Sequence, residues 1–327
     1  MQAEIIQEKI ELSSIYCMKA IGAIFVLLIH FGLYGVHILG PVYKTGVLVF
    51  FIIGGYFLYT DDWNKFKLKI KKQSLKLLKL NLFVNSVYLV LFYLASGELK
   101  ISSVHDMILF ILHGSNICFH LWFLNAYLWG ILIFMALVKI FKHDWILGAI
   151  GLLFWLLSIS LNAYLKFLPD DYIASLKPYD NWIAMCIPLL ILGYLIHKHS
   201  YKVSRRKGSV LIVISILMAF IENRLLVHYE FFNGGVLLVA PCIAASMLIY
   251  CISNPNIGKD TILATIGKRH SANYYYWQFI PVVFFPDLIY ITYGKFSFLI
   301  VLGFLIPWSY LCNSIARQIT KVNYGNI

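Results

Sequence analysis

Charge is scarce in this chain. Only 13% of its 327 residues are Asp, Glu, Lys or Arg, about half the share of an ordinary soluble domain. Acidic residues number 15 against 27 basic ones. Cysteine is sparse too: Cys17, Cys118, Cys186, Cys242, Cys251 and Cys312 lie scattered, mostly in apolar runs. No C-x-x-C pair and no His/Cys cluster with zinc spacing occurs, so neither a disulfide framework nor a structural metal site is expected. No G-x-S-x-G elbow, Walker loop or dinucleotide-binding glycine pattern appears, which removes the common serine hydrolases and nucleotide-binding folds. There is no low-complexity tract, no long Pro/Gly linker and no internal repeat.

Apolar sequence fills the space that charge leaves. Hydrophobic residues make up 61% of the chain, and a spanning helix needs about 20 mostly apolar residues. Ten segments qualify, near 17–39, 42–60, 78–97, 119–141, 145–162, 182–197, 209–227, 234–252, 272–293 and 296–316. The expectation is an all-α polytopic membrane helix bundle of about ten transmembrane helices, forming a single domain over 1–327. The net charge of +12 is distributed by topology. With the amino terminus cytoplasmic, only Lys44, Lys100, Lys166, Lys177, Arg224 and Lys295 among the Lys and Arg face outward. That positive-inside bias places both termini in the cytoplasm and makes nucleic acid an improbable partner. The acidic start (Glu4, Glu8, Glu11) lacks the form of a cleavable signal, so the first apolar stretch reads as a retained span.

Ionisable side chains inside such stretches are costly, and they mark functional sites by default. Lys19 and His30 share the first one. Eleven steps of roughly 100° put both on one helical stripe, about 16 Å apart along the axis. Between Asp61 and Lys79, seven lysines alternate with Phe66, Leu68, Ile70, Leu75, Leu77 and Leu78. This basic loop leading to the third span suits lipid headgroups or a phosphorylated cytosolic ligand. An external connection from Glu98 to Phe119 holds a short apolar piece, Met107 to Leu112, expected at the interface or re-entering. A second, Asn162 to Asn181, carries Asp170, Asp171 and Asp180. Trp63, Trp122, Trp182, Tyr59 and Tyr293 at span ends fit interfacial anchoring.

Four pieces in order resemble the acyltransferase-3 family of bacterial membrane proteins. The pair Lys19 and His30 is similar to an Arg, ten residues, then His in that family's opening span. Phe50 to Phe57 is similar to its Phe-Phe-x-x-Ser-Gly-Phe/Tyr run, His120-Leu121-Trp122-Phe123-Leu124 to its His-x-Trp-Phe start of the fourth span, and Arg269 to Gln278 to its Ser-x-x-Ile-Tyr-x-x-His run. Lys19 replaces the usual Arg, Gly54 the usual Ser, and Gln278 stands where His is common. Lys keeps the charge but not the bidentate fork, and Gln cannot titrate.

The resemblance implies transfer of an acyl group, usually acetyl, from cytosolic acyl-CoA to a hydroxyl of an extracytoplasmic glycan or glycolipid, in a bacterial cytoplasmic membrane. Acetyl-CoA is then the donor and no metal is needed. Lys19, Lys69, Lys72 and Lys76 would meet the phosphates of the donor. His30 would act as general base or be acylated itself. His120 would orient the acceptor or polarise the carbonyl. Trp122, the polar cluster Glu222-Asn223-Arg224, Tyr275 and Gln278 are candidate substrate contacts, although Glu222 and Arg224 read first as an interfacial ion pair. Two other readings stay open, an exporter of glycan precursors and a degenerate accessory subunit. Exporters often carry matched broken repeats, and none is visible.

Overall fold

A computed structural model describes residues 12–33, 35–97, 99–164, 180–231, 235–292 and 294–324. Lys9, Lys166, Lys177, Asp170, Asp171 and Tyr293 lie outside the described residues. Helices dominate, with no strand among the described residues, because a backbone in lipid must satisfy its own hydrogen bonds. Six helices are long and apolar enough to cross a bilayer, and three shorter apolar ones join them.

The first helix, α1, is Ser13–His30, and α2 is Gly46–Leu58. The next, α3, runs unbroken from Trp63 to Ser96, which corrects the expected basic loop at 61–79. No Gly or Pro interrupts those 34 residues. The Asp62 carboxylate caps the start by accepting from the amides of Asn64 and Lys65, and Gly97 ends it in the left-handed conformation with φ 73°. At 1.5 Å per residue α3 is about 50 Å long, well beyond a hydrocarbon core of about 30 Å. Its lysine-rich first half is therefore a helical extension.

The short apolar piece within 98–119 forms a helix, α4 (Val104–Leu112), with a Ser103/Asp106 capping box and no buried residue. Its carboxyl end is tied to α5 (Trp122–Ile140). Asn125 Nδ2 donates to the carbonyls of Phe110 and Ile111 at 2.5 and 3.1 Å, and Trp129 Nε1 donates to Ile111 at 2.9 Å. Asn125 in turn accepts from Asn81, which accepts from Asn85 at 2.5 Å, so three buried asparagines join α3 to α5. After α6 (Asp144–Ser160), α7 (Ile187–Lys198) packs on α2. Their backbones touch. A Cβ at Gly55 would overlap Leu190 O, and one at Gly193 would overlap Ile52 O, the close small-residue crossing that membrane helices use.

Helices α8 (Arg205–His228) and α9 (Ala240–Ser253) pair with each other. The expected ninth span, 272–293, is broken rather than continuous. A π-helical turn (Ile266–His270) feeds α10 (Ser271–Trp277), which gives way to Ile280–Phe284 and a second π turn at Leu288–Thr292. Pro281 and Pro286 fall in this stretch, and proline cannot donate to a helical ladder. The last helix, α11, is Ser297–Tyr324.

Candidate functional site

One cavity of about 540 Å³ opens among α1, α2, α3, α5 and α10. Lys19, Lys69, Lys72 and Lys76 line it together with Gln73, so helix spacing on α3 collects three of the loop lysines onto one face. Apolar and aromatic side chains make up the other end: Val26, Phe50, Phe123 and Tyr275. The lysines are not equivalent. Lys69 Nζ donates to the carbonyls of Phe57 at 3.0 Å and Tyr59 at 2.6 Å, satisfying the open carboxyl end of α2. Lys72 and Lys76 have no such partner among the described residues. Just outside, Tyr59 donates to the Asp61 carboxylate, and that bond with burial pushes its hydroxyl up to about 12.

Val26 lines the cavity one turn before His30 on α1. His30 itself is half-buried and just past the aromatic end. Its ring meets Phe119 and Phe279 edge-on, each at 5.3 Å between centroids, and His120 at 6.5 Å. Neither ring nitrogen of His30 has a protein hydrogen bond among the described residues.

His120 is the opposite case. It is fully buried, stacked on Phe279 at 4.6 Å. Its Nε2 faces the Tyr276 carbonyl at 3.3 Å and its Nδ1 the Cys118 sulfur at 3.2 Å. A carbonyl only accepts, so Nε2 carries the proton and Nδ1 accepts from the thiol. Burial pushes that thiol up to about 12, which keeps it a donor. The neutral ring is held in one tautomer. The Tyr275 hydroxyl donates to the His120 carbonyl. His120 is thus fastened to α10, whose Tyr275 and Tyr276 also line the cavity.

The remaining candidates are dispersed. Trp122 packs near Phe51 and Phe123 without lining the cavity. Gln278 is fully buried: its Nε2 donates to the Tyr275 carbonyl at 3.0 Å, and its Oε1 has no partner among the described residues. Glu222 is buried on α8 and accepts from the Tyr164 hydroxyl at 2.8 Å and from the amides of Leu238 and Val239 at 2.5 and 3.0 Å. Those amides belong to the free amino end of α9, so the carboxylate caps that helix. Arg224 is exposed and lines a separate cleft with Tyr43, Lys44, Phe220 and Asn223. It forms no ion pair with Glu222, since two residues along a helix turn by about 200°. Among the described residues no group of three His, Cys, Asp or Glu is placed to hold a metal.

Sequence reading missed Tyr127, Cys118 and the asparagine chain. Asn81, Asn85 and Asn125 carried a usable signal, being polar residues inside apolar stretches. Tyr127 lies beyond the third motif, one turn after its Phe123, and shares that residue's face.

Residues 12–314 match the family model described as an acyltransferase domain, the acyltransferase-3 type. The chain belongs to that family, and its class is a membrane acyltransferase. No curated protein and no solved structure matches it.

Proposed function

We propose that this protein moves an acetyl group from cytosolic acetyl-CoA to a hydroxyl of an extracytoplasmic cell-surface glycan or its lipid-linked precursor, in a bacterial cytoplasmic membrane with both termini inside. One observation carries the reading: a single cavity has Lys19, Lys72 and Lys76 at one end and stops, at the other, against residues that hold His120 beside the unbonded ring of His30. The lysines suit the phosphates of coenzyme A. The aromatic end suits the thioester-bearing arm.

His30 takes the proton of the attacking hydroxyl through a free ring nitrogen. The hydroxyl oxygen bonds to the thioester carbonyl carbon, the carbon–sulfur bond breaks, and the coenzyme thiolate receives that proton. His120, neutral and fixed, supports the ring of His30 by packing. If His30 is instead acylated first, its nitrogen displaces the thiolate and the hydroxyl then displaces the imidazole.

The test is transfer of radiolabelled acetyl from acetyl-CoA to membrane glycan extract by protein in vesicles. Wild type and Lys19→Arg transfer label; His30→Ala does not, and Lys19→Ala needs more donor. Labelled protein trapped without acceptor selects the acyl-His route. Glycan movement across the vesicle with no acetyl transfer overturns the proposal in favour of export.

A further inference from the structure

Tyr127 is a polar group lining the cavity that the mechanism leaves unused. It sits on α5 with only 8% of its surface exposed, and that remainder opens on the cavity it lines. Phe51 and Phe123 hold its ring, each at 5.8 Å between centroids. Its hydroxyl has no hydrogen-bond partner among the described residues. An unpaired hydroxyl aimed into a mostly apolar cavity loses a hydrogen bond that water or a ligand would supply.

The seat of this hydroxyl is specific. It lies against Gly54, where any Cβ would overlap Tyr127 Oη and crowd Cζ at 2.7 Å. Only a glycine lets the phenol reach this depth. Gly54 is also midway along the cavity. Three residues further on α2, the Phe57 carbonyl binds Lys69 at the lysine end. Four residues back, Phe50 packs on Phe123 at 6.1 Å near the aromatic end. A ligand with its phosphates at the lysines and its reacting group toward His30 therefore passes Tyr127 with its middle.

We propose that the Tyr127 hydroxyl, admitted by Gly54, donates a hydrogen bond to a carbonyl of the thioester-bearing arm of the donor. This rests on the cavity being the acyl-CoA site. The group recognised is an amide or thioester oxygen, an acceptor with no donor of its own; the nucleotide end does not touch it. Tyr127 thus sets which phosphorylated ligands are drawn in beyond the lysines.

The experiment measures binding of two probes, acetyl-CoA and adenosine bisphosphate, which lacks the arm, to protein in nanodiscs. Tyr127→Phe keeps the ring and should weaken acetyl-CoA by about 5- to 10-fold, with adenosine bisphosphate unchanged. Two double variants separate hydroxyl from packing: Gly54→Ser/Tyr127→Leu should recover acetyl-CoA affinity relative to Gly54→Ala/Tyr127→Leu. Equal loss for both probes, no loss in Tyr127→Phe, or equal affinity in the two double variants overturns the proposal. Wild type binding neither probe overturns instead the acyl-CoA reading beneath it.

Discussion

His30 and His120 approach edge to face, ring centroids 6.5 Å apart, yet only His120 is bonded at both nitrogens. Two neighbouring imidazoles thereby differ in their open nitrogens. One is closed to proton exchange by its thiol and carbonyl partners, and the other is open. His30→Ala should lower the rate of acetyl transfer by about 100-fold or more while leaving acetyl-CoA affinity within about 2-fold. His120→Asn should lower it less. Single-turnover transfer together with equilibrium donor binding checks both; equal losses in the two variants would remove the distinction.

The lysines around the cavity mouth divide in the same manner. Lys72→Gln and Lys76→Gln should each raise the KM for acetyl-CoA by about 3- to 10-fold, with an effect that shrinks as salt rises. Lys69→Gln should instead lower the unfolding temperature, because the carbonyls of Phe57 and Tyr59 lose their donor. Steady-state kinetics across ionic strength and thermal unfolding in detergent read the two effects apart.

Glu222 is a structural carboxylate. Glu222→Ala removes the carboxylate that accepts from the amides of Leu238 and Val239 and from the Tyr164 hydroxyl, and the expected cost is about 2–3 kcal/mol of stability. Transfer activity per folded molecule should be retained. Arg224→Ala should not change stability measurably, being exposed. An activity loss in Glu222→Ala without loss of stability would place that side chain in substrate contact.

The short helix α4 carries an acid-sensitive cap. Asp106 accepts from the Ser102 and Ser103 amides, and these bonds, that to Ser102 foremost, hold its carboxyl below the usual carboxylate range. A depressed folded value means the cap is complete above the unfolded pKa of about 3.9 and is lost as pH falls through the lower folded value. Amide exchange at Val104 to Asp106 should therefore quicken in acid, and Asp106→Asn should show that faster exchange already at neutral pH. Slower exchange in the variant would contradict the capping role.

Which parts of this architecture were legible in the sequence follows from the range of the forces involved. Apolar runs announced the helices, and the stripe from Lys19 to His30 is set by local periodicity, so both were readable. The lysine-rich segment was read as a loop because its charges mask a helix whose cap, Asp62, lies one residue before Trp63. The break at 278–288 was hidden inside an apolar run, although Pro281 and Pro286 mark it. Glu222 and Arg224 look paired because they are close in sequence; Glu222 instead accepts from the Leu238 amide, and Arg224 lines a different cleft. Tyr127 depends on Gly54 across a helix boundary, a relationship that no one-dimensional pattern contains.

The crossing of Gly55 and Gly193 has a mechanical consequence for that cavity. Where main chain rests on main chain, no side chain remains to swing or compress. The wall built on α2 and α7 is a fixed jamb. The facing side is built differently: there Lys72 and Lys76 project from a largely exposed stretch of α3. The seat that Gly54 gives the Tyr127 hydroxyl lies on that fixed wall, one residue from Gly55.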